Sequence, residues 1–439
     1  MMSQEQNERM TRTGADTPAG RLMRLYWQPA ALADELHGLR PVRPVRILGE
    51  DFVLFRDEAG RLGLLDRHCP HRGADLAFAR REDGGLRCAF HGWLFDVAGH
   101  CLDTPAEPEG SVLKTRVRQR SYPVVERGGI VFAYLGPDAP PAFPAFDCFV
   151  APDTHVFAFK GFIACNWLQA LEVGIDPAHA SYLHRFGEDE DPAQNYGRQF
   201  RATSAGSEIP MTRLLREHAR PTIEVERTQY GMRLAALRPL DAARAHIRVT
   251  NMIFPHGFVI PLSPTMTISQ WHVPIDDVSC YWYAIFTGFA EPVDKDAMRR
   301  QRLELYALPG YKPRRNAANN YGFDAAEQQS RTYTGMGDDI NVHDQWAVES
   351  QGPIHDRRRE HLGYSDKGIA LYRRILLEAI AQTERGETPL MVLNEAEAAR
   401  LTGPGTVDSI GPREGWERYW RDVDAARRRG ATWPAGSAA

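Results

Sequence analysis

The chain has 439 residues, 43% of them hydrophobic and 25% charged, and its formal net charge is −4. This length exceeds one ordinary hydrophobic core, so length and composition together indicate a globular protein of two domains. The 53 basic and 57 acidic residues nearly cancel, which excludes the strongly basic surface of a typical nucleic-acid-binding protein.

The amino-terminal residues 1–20 are polar and charged. They lack the apolar centre of a secretion signal or a membrane anchor, and no run of about 18 apolar residues follows them. The six cysteines do not show the dense spacing of a disulfide framework. We therefore expect a cytoplasmic protein without a membrane partner. Residues 21–39 predict a helix or helical turn, so residues 1–40 are interpreted as a leader and a helix.

Short alternating segments and many turn residues predict a small all-β domain over residues 41–145. Two short, similar loops of this domain each contain one Cys and one His. These residues are Cys69 and His71 in the first loop, and Cys88 and His91 in the second. Two sulfur and two nitrogen ligands suit either a tetrahedral zinc ion or a [2Fe-2S] cluster with one iron held by histidines. The spacing alone leaves both possibilities open.

The residues around these loops favour the cluster. Pro70, Gly73 and Gly92 lie where tight turns bring backbone N–H groups close to cluster sulfurs. Structural zinc sites more often pair cysteines two residues apart in a single loop. The two loops therefore predict a [2Fe-2S] cluster.

Residues 146–430 predict a larger α+β domain. The sequence between residues 222 and 289 contains long strands separated by gaps of turn length, which indicates a mostly antiparallel meander. The last third of the chain is predicted to be helical. Within it, one helix is expected to have Ser365 as its N-cap and to end at Gly386.

A second candidate metal site contains Asp176, His179 and His184. Asp176 and His179 are three residues apart and share a helix face. His179 and His184 are five apart, about 140° around an ideal helix, so the helix must bulge or end if both are to bind one ion. Two histidines and one carboxylate form the facial triad of non-haem Fe(II) oxygenases, which leaves coordination positions open for dioxygen.

The carboxylate of such a triad should come from far along the chain. The candidate acids are Asp338, Asp339, Asp344 and Asp356. We choose Asp344, because it is expected to open a helix over residues 344–351, where the helix dipole favours an ionised carboxylate.

Taken together, the two ligand loops, the motif at residues 176–184 and the segment 349–366 resemble one enzyme family. They are similar to the α (oxygenase) subunits of Rieske non-haem iron aromatic-ring-hydroxylating oxygenases, particularly the phthalate 4,5-dioxygenase-like group, over nearly the whole chain. The resemblance implies an α+β fold with an all-β Rieske [2Fe-2S] domain at residues 41–145. It also implies a catalytic mononuclear non-haem iron domain at residues 146–430, whose long antiparallel sheet is covered by helices in a helix-grip, START-like arrangement.

The resemblance implies a role for each candidate residue. Cys69 and Cys88 would hold one cluster iron, and His71 and His91 the other. The implied ligands of the mononuclear Fe(II) are His179, His184 and Asp344. Asp356 is the alternative carboxylate.

Two further residues are implied to act in catalysis. Asp176 matches the aspartate that links a cluster histidine to an iron-ligand histidine across a subunit boundary. As a carboxylate, it can accept N–H bonds from two imidazoles. Asn166 falls on a motif asparagine near the iron.

The implied activity is hydroxylation of an aromatic substrate with dioxygen and with electrons that a reductase or ferredoxin supplies from NAD(P)H. The chain itself shows no nucleotide-binding fingerprint, so we expect it not to oxidise NADH unaided. An aromatic carboxylate and ring dihydroxylation are expected. The alternatives are O-demethylation of a methoxylated, lignin-derived aromatic acid by a monooxygenase, and an electron-transfer protein without oxygenase activity.

The family further implies a homo-oligomer, either α3 or stacked α3α3. A guanidinium group fits a carboxylate bidentately, so arginines of the catalytic half are candidate substrate contacts. These are Arg213, Arg216, Arg244 and Arg248. Candidate aromatic residues of the pocket are Phe254, Trp271, Trp282 and Phe286, although core packing is the more common role for each of them.

Overall fold

The computed structural model describes residues 2–189 and 211–435. Two short helices come first, α1 at Gln4–Thr11 and α2 at Pro18–Met23. Ser3 closes a capping box at the start of α1, and Thr17 caps α2 immediately before a proline, so both starts follow the usual N-terminal signals.

The helix expected over residues 21–39 is wrong for most of its length. It ends at Met23, and Gln28–Leu32 form a strand that pairs with Ile130–Ala133. All five residues of this strand are buried. Pairing with a distant apolar strand thus overrides a local helical pattern that contains Pro29, a poor residue for a helix interior.

The amino-terminal half is a small β domain of short strands. They are β1 Gln28–Leu32, β2 Val42–Ile47, β3 Glu50–Arg56, β4 Leu62–Asp66, β5 Arg80–Glu82, β6 Gly85–Arg87, β7 Leu94–Phe95, β8 Cys101–Asp103, β9 Ser121–Tyr122, β10 Val124–Arg127, β11 Ile130–Ala133 and β12 Ala145–Phe146. Two four-stranded sheets, in the orders β2-β3-β4-β9 and β5-β6-β7-β8, carry the two ligand loops. The short helices α3 (Leu113–Arg116) and α4 (Asp147–Val150) accompany them.

The carboxy-terminal half is built on an eight-stranded sheet. Its strands are β13 Val156–Ile163, β14 Thr222–Thr228, β15 Gly231–Pro239, β16 Arg244–Ile253, β17 Gly257–Ser263, β18 Met266–Asp276, β19 Ser279–Gly288 and β23 Val407–Pro412. The order β13-β19-β18-β17-β16-β15-β14 confirms the antiparallel meander, and β23 pairs with β16. The remaining strands are two-residue pieces: β20 Tyr306–Ala307, β21 Lys312–Pro313 and β22 Thr402–Gly403.

Helices cover this sheet. They are α5 Trp167–Gly174, α6 Ala180–Leu183, α7 Met211–Glu217, α8 Lys295–Leu305, α9 Ala325–Ser330, α10 Ile340–Glu349, α11 Lys367–Glu384, α12 Glu395–Arg400 and α13 Trp416–Arg429. The long α11 contacts α2, β14 and β15. Gly386 lies just beyond α11 with φ +72°, as expected, whereas the N-cap is Asp366 rather than Ser365. No helix of the described residues is long and apolar enough to cross a membrane.

The two halves are joined by backbone hydrogen bonds as well as by packing. The amide of Leu48, in the β2–β3 turn, donates to the carbonyl of Pro274, and the amide of Gly49 donates to that of Ile275, at 2.9 and 2.8 Å. The small β domain is therefore attached to the end of β18.

Candidate functional site

The two Cys-His loops share one backbone design. The amide of Gly73 donates to the carbonyl of Cys69 at 2.8 Å, and the amide of Gly92 donates to that of Cys88 at 2.9 Å. Both glycines have φ +76°, a conformation that favours glycine. The loops therefore turn back on themselves in the same way and present equivalent side chains.

The four side chains of these loops gather at one end of the small β domain. Cys69 and Cys88 are buried, at 2% and 4% exposure, and the rings of His71 and His91 lie with centroids 4.5 Å apart. His71 stacks on Trp93 at 4.4 Å. Burial, together with the neighbouring Cys88, raises the pKa of Cys69 to about 11.

These side chains fit a metal cluster. Burial in an apolar pocket disfavours an unpaired thiolate. Two close, buried thiols therefore lose their protons most readily when a metal ion binds the sulfur atoms. In addition, Nδ1 of His91 is buried without a hydrogen-bond partner. The donor set of two thiols and two imidazoles therefore suits the predicted cluster.

A second group of ligand atoms lies in the large domain. His179, His184 and Asp344 have one ligand atom each within 4.8 Å of the others. The Nε2 atoms of the two histidines are 3.2 Å apart, and Oδ1 of Asp344 lies 3.6 Å from Nε2 of His179 and 3.2 Å from that of His184. The structure thus brings together three residues that are up to 165 positions apart in the sequence.

The backbone explains how two histidines five residues apart converge. Helix α5 ends at Gly174, and α6 is a single turn with His179 as its N-cap and His184 as its C-cap. His184 has φ −106° and ψ 26°, outside the helical region. The expected interruption of the helix is present, because α6 starts after one ligand and ends before the other.

Asp344 does not occupy the position that the sequence suggested. Helix α10 begins at Ile340 with Asp339 as its N-cap, so Asp344 is its fifth residue rather than its first. The helix dipole is therefore not what favours Asp344. Instead, burial raises the pKa of Asp344 to about 6, and its Oδ1 is buried without a hydrogen-bond partner. A carboxylate in this state fits a cation between the two histidines.

The other candidate acids have different partners. Asp338 pairs with Arg331. Asp339 caps α10, and its carboxylate lies 3.9 Å from Arg302. Asp356, the alternative ligand, pairs with Arg358 at 2.7 Å and is absent from the group of ligand atoms.

Asp176 lies beside His179, but its carboxylate is not the hydrogen-bond acceptor. Nδ1 of His179 faces the backbone carbonyl of Asp176, while the carboxylate Oδ2 is 3.9 Å away. The other carboxylate oxygen accepts from the amide of Ala178 at 2.8 Å. The carboxylate is partly exposed, at 23%.

The structure does not bring Asn166 into the group of metal-ligand atoms. Asn166 is the N-cap of α5, fully buried, and its side-chain oxygen accepts from the amide of Leu168. Its side-chain nitrogen donates to the carbonyls of Thr11 and Asp277. These bonds occupy its side-chain amide at the start of α5, whereas His179 follows the end of that helix.

His343 is a site residue that the sequence analysis missed. It is fully buried next to Asp344, and its Nδ1 is 3.5 Å from Nδ1 of His184. Its Nε2 is 2.8 Å from the carbonyl oxygen of Gly337. Burial, with repulsion from His184 as a smaller cause, lowers the pKa of His343 to about 4. Its position directly before a candidate ligand was the available signal.

A cavity adjoins the three metal-ligand candidates. It is lined by apolar side chains of the sheet and helices, including Phe258, Ile260, Ile268, Trp282 and Leu215. Polar residues of the same sheet face also reach it, namely Arg238, His246, Arg248, Thr250, Gln270 and His272. Their spacing by two along β16 and β18 is the signal that could have located this face.

Two arginines of this face are held in different ways. Arg248 pairs with its cross-strand partner Asp408, which also lies 2.5 Å from Nε2 of His246. Arg238 is 1% exposed and donates to the carbonyl of Pro177 at 3.1 Å, while its Nε is buried without a hydrogen-bond partner. Burial, followed by repulsion from Arg248, lowers the pKa of Arg238 to about 10.

The other residues proposed for the pocket have mixed outcomes. Arg248 lines the cavity, whereas Arg213 and Arg216 pair with Asp189, and Arg244 pairs with Asp241. Among the aromatic candidates, Trp282 lines the cavity. Those that belong to the hydrophobic core instead are Phe254, Trp271 and Phe286.

Comparison with known families decides what these two centres belong to. A model of the Rieske [2Fe-2S] domain matches residues 26–123, and a model described as LigXa C-terminal domain like matches residues 133–429. Together they span both centres. The chain belongs to the Rieske non-haem iron oxygenases. This membership confirms the predicted fold class and the predicted cofactors, a [2Fe-2S] Rieske cluster and a mononuclear iron.

Curated relatives of this Rieske oxygenase are oxygenase subunits. The phthalate 4,5-dioxygenase oxygenase subunit of Pseudomonas putida is 36% identical, over 97% of this chain and 95% of the relative. The 5,5'-dehydrodivanillate O-demethylase oxygenase subunit of Sphingobium sp. is 31% identical, over 90% and 84% of the two chains. The chain is therefore an oxidoreductase of the oxygenase type, which argues against a protein for electron transfer alone.

Solved structures show the same fold at lower identity. The oxygenase in its reduced complex with ferredoxin, from carbazole 1,9a-dioxygenase, matches with a TM-score of 0.53 and 19% identity, over 85% of this chain and 93% of the other. The match shows that the two chains share a fold.

Proposed function

We propose that this Rieske oxygenase hydroxylates an aromatic carboxylate, with dioxygen and with electrons that a reductase or ferredoxin supplies from NAD(P)H. One observation carries the proposal. The triad of His179, His184 and Asp344 opens into a largely apolar cavity that also contains the buried guanidinium group of Arg238. Apolar walls suit an aromatic ring, and a buried cation suits an anionic substituent.

The proposed cluster ligands are Cys69 and Cys88 for one iron, and His71 and His91 for the other. Burial of the thiols, the matched turns at Gly73 and Gly92, and the adjacent imidazoles support this assignment. The residues of these loops hold the cluster at the end of the small β domain, where Phe90 is 56% exposed. An electron donor can therefore approach the histidine side.

The proposed ligands of the mononuclear iron are His179, His184 and Asp344. When bound, the iron supplies the activation of dioxygen. The chain itself holds the three ligand atoms at the ends of α6 and on α10, buries Oδ1 of Asp344, and surrounds the open side with cavity residues. Exclusion of water protects a reactive centre from side reactions.

The charge balance of the cavity wall supports an anionic substrate. On the sheet face of the cavity, Arg238 and Arg248 contribute two positive charges, and the neighbouring Asp408 contributes one negative charge that is shared with His246. The other carboxylates of the cavity, Asp176 and Asp344, lie beside the metal-ligand histidines instead. Burial and nearby positive charge lower the pKa of His246, which favours its neutral form. A substrate carboxylate would balance the remaining charge and could reach Nε of Arg238.

Monooxygenation is the second candidate. Similarity to the O-demethylase relative favours it, because a methoxylated aromatic acid also combines a ring with a carboxylate. Both reactions use the same iron ligands and the same carboxylate contact. They differ in which substrate atom the cavity places next to the iron.

We propose that the protein assembles as a homo-oligomer, α3 or stacked α3α3, in which the cluster loops of one chain face α6 of the next. Exposed aromatic side chains at both places support such a contact. Phe78 and Phe90 are 71% and 56% exposed near the cluster loops, and Tyr182 is 52% exposed on α6. Asp176 would then accept a hydrogen bond from a cluster histidine of the neighbouring chain.

Two further assignments belong to this proposal. The small domain of this proposal has a separate hydrophobic core around the cluster ligands Cys69 and Cys88. The strand Ile130–Ala133 packs in the core of the large domain, so the division at about residue 145 stays a prediction. A cytoplasmic location, and a role in the catabolism of aromatic compounds, are supported by six free cysteines and by the relatives.

A product screen tests the proposed function. The purified protein, a surrogate reductase, NADH and ¹⁸O-labelled dioxygen are incubated with aromatic acids, their neutral amides and methoxylated aromatic acids. Hydroxylated acids that carry ¹⁸O, with little product from the amides, are expected by mass spectrometry. Formaldehyde release from methoxylated acids alone would select the demethylase alternative. Equal turnover of acids and amides would contradict the carboxylate contact.

A further inference from the structure

His343 lies between a backbone carbonyl and a proposed iron ligand. On one side, its Nε2 is 2.8 Å from the carbonyl oxygen of Gly337. On the other side, its Nδ1 is 3.5 Å from Nδ1 of His184, with the two rings inclined by 29°. His343 is fully buried on α10. Its two ring nitrogens therefore connect Gly337 to His184.

The carbonyl of Gly337 determines which ring nitrogens of His343 and His184 carry protons. A carbonyl oxygen can only accept, so Nε2 of His343 must carry a proton. A neutral imidazole has one N–H, which leaves the lone pair on Nδ1 of His343 as an acceptor. Nδ1 of His184 must then donate to it. The lone pair of His184 is consequently on Nε2, the atom that faces Asp344 and His179.

His179, the other proposed histidine ligand, has the same tautomer through a direct contact with a backbone carbonyl. Nδ1 of His179 faces the backbone carbonyl of Asp176, so this nitrogen also carries the proton. Both Nε2 lone pairs and Oδ1 of Asp344 then point to one location. Three acceptors without protons between them repel one another unless a cation lies there.

The backbone of Gly337, whose carbonyl faces His343, is itself held in place by neighbouring residues. The amide of Gly337 donates to Oε1 of Glu327 at 2.8 Å. Gly337 has φ +81°, and a Cβ atom there would come within 2.3 Å of Nη1 of Arg315, which donates to the carbonyl of Met336. Glycine is therefore required, because a larger residue would be strained and would displace this arginine.

We propose that His343 is a positioning residue that fixes the proton of His184 on Nδ1 and so presents the Nε2 lone pair to a divalent metal ion. The inference rests on the proposed metal site of His179, His184 and Asp344. It assigns His343 no contact with metal or substrate. An acceptor behind a metal-ligand histidine orients its ring and raises its basicity, and loss of such a partner typically weakens metal binding by about 10–100-fold.

Two substitutions of His343 separate its hydrogen bonds from its bulk. In His343→Gln, the amide oxygen can accept from His184 while the amide nitrogen donates to Gly337. In His343→Leu, a side chain of similar size offers neither the acceptor for His184 nor the donor to Gly337. Protein that retains its cluster but has been cleared of mononuclear iron is titrated with Co²⁺ alone, with the dissociation constant and the visible ligand-field bands as readouts.

We expect His343→Leu to raise the dissociation constant for Co²⁺ by about 10–100-fold, and to shift the ligand-field bands. His343→Gln should stay within about threefold of the wild type. His256→Leu is the matched control, because His256 is equally buried, has no hydrogen-bond partner on either ring nitrogen and does not line the cavity. It should bind Co²⁺ as the wild type does.

The outcomes separate this inference from the proposed function. Wild-type affinity in His343→Leu, with weakened binding in Asp344→Asn, would overturn the role of His343 and leave the metal site standing. Absence of stoichiometric Co²⁺ binding in the wild type would overturn the metal site itself. Should His343→Leu not fold, neutron diffraction of the wild type locates the protons. Protons on Nδ1 of His184 and Nε2 of His343 support the inference, and any other arrangement contradicts it.

Discussion

Arg238, which is buried, and Asp344, which is partly exposed, are charged residues that each have one buried atom without a hydrogen bond. Nε of Arg238 and Oδ1 of Asp344 have no hydrogen-bond partner, although both atoms are buried. A buried polar atom left in this state costs about 1–3 kcal/mol of stability, and more when it is charged. Both residues adjoin the same cavity. A metal ion at Asp344 and a substrate carboxylate at Arg238 would offset these two costs in stability.

The first prediction concerns Arg238. Replacement by Met, which keeps an unbranched apolar stem and removes the charged guanidinium group, should raise KM for an aromatic carboxylate by about 10–100-fold, since a hydrogen bond to a charged group contributes about 1.5–3 kcal/mol. Arg244→Met is the control, because Arg244 is exposed and pairs with Asp241. Steady-state kinetics with an acid and its amide checks this. An equal loss for both substrates would exclude a carboxylate contact.

Helix α11 is the element that ties the helical layer to the sheet. Its Gly368 lies directly against β15 and the end of α5, and its Arg373 reaches the buried Glu172 of α5 at 2.6 Å. Arg357 donates to the same carboxylate at 3.0 Å. Because α5 leads directly into the turn that bears His179, the packing of α11 also positions the metal-ligand candidates.

The second prediction concerns the close approach of α11. A Cβ atom at Gly368 would come within 2.5 Å of Cδ2 of Leu234 and 2.9 Å of the carbonyl oxygen of Ile175. Gly368→Ala should therefore lower the free energy of unfolding by about 1–3 kcal/mol, as measured by urea denaturation. Helix propensity alone would raise it by about 1 kcal/mol. A stabilised variant would thus show that the packing of α11 is looser than described.

The third prediction is a dependence on pH. Burial acts to raise the pKa of Glu360, but hydrogen bonds from His355 and Arg373 outweigh it and lower that pKa to about 2. A depressed carboxyl pKa contributes stability above the unfolded value, about 4.3, and that contribution is lost as pH falls toward 2. Glu360→Gln should therefore cost about 1–2 kcal/mol at pH 7, after allowance for partial exposure to solvent.

Denaturation of Glu360→Gln and wild type at a series of pH values checks this sign. The difference between the two free energies of unfolding should shrink below about pH 4.3 and vanish near pH 2. A difference that grows on acidification would contradict the assignment of the ion pair with Arg373. The Arg373–Glu172 pair remains in the variant, so the fold should persist.

At the scale of the whole molecule, the two proposed metal centres belong to separate domains. The hydrogen bonds that shape the Cys69 and Cys88 loops stay within the small β domain, and those of α6 stay within the large one. Exposed aromatic side chains flank both. Electron transfer between the centres of adjacent chains, in a closed ring, would use this arrangement.

The fourth prediction follows from such a ring. Cys69→Ser should abolish the cluster, and His179→Ala should abolish iron binding, so each variant alone should be inactive. Oligomers formed by refolding or co-expressing both variants should recover activity, because the intact cluster of one chain would face the intact iron site of the next. Turnover of the substrate is the measurement. No recovery in verified mixed oligomers would place the electron path within one chain.

The candidate ligand residues could be selected from the sequence because metal binding demands particular side chains at short spacing within single loops. Cys69, His71, Cys88 and His91 are defined by two loops, and His179 and His184 by one turn. The meander of long strands could be predicted as well, since alternation with turn-length gaps is a local property. These features depend on neighbours in the chain, which the sequence specifies directly.

Tertiary structure alone decided the rest. Gln28–Leu32 became a strand because Ile130–Ala133 pairs with it, and Asn166 became a cap because Thr11 and Asp277 surround it. Asp344 faces the histidines from the middle of α10, and Arg238 and His343 face the site through contacts with distant segments. Sequence by itself determined which chemistry the chain can perform. The packing of remote segments decided which side chains surround it, because burial and pairing depend on neighbours in space.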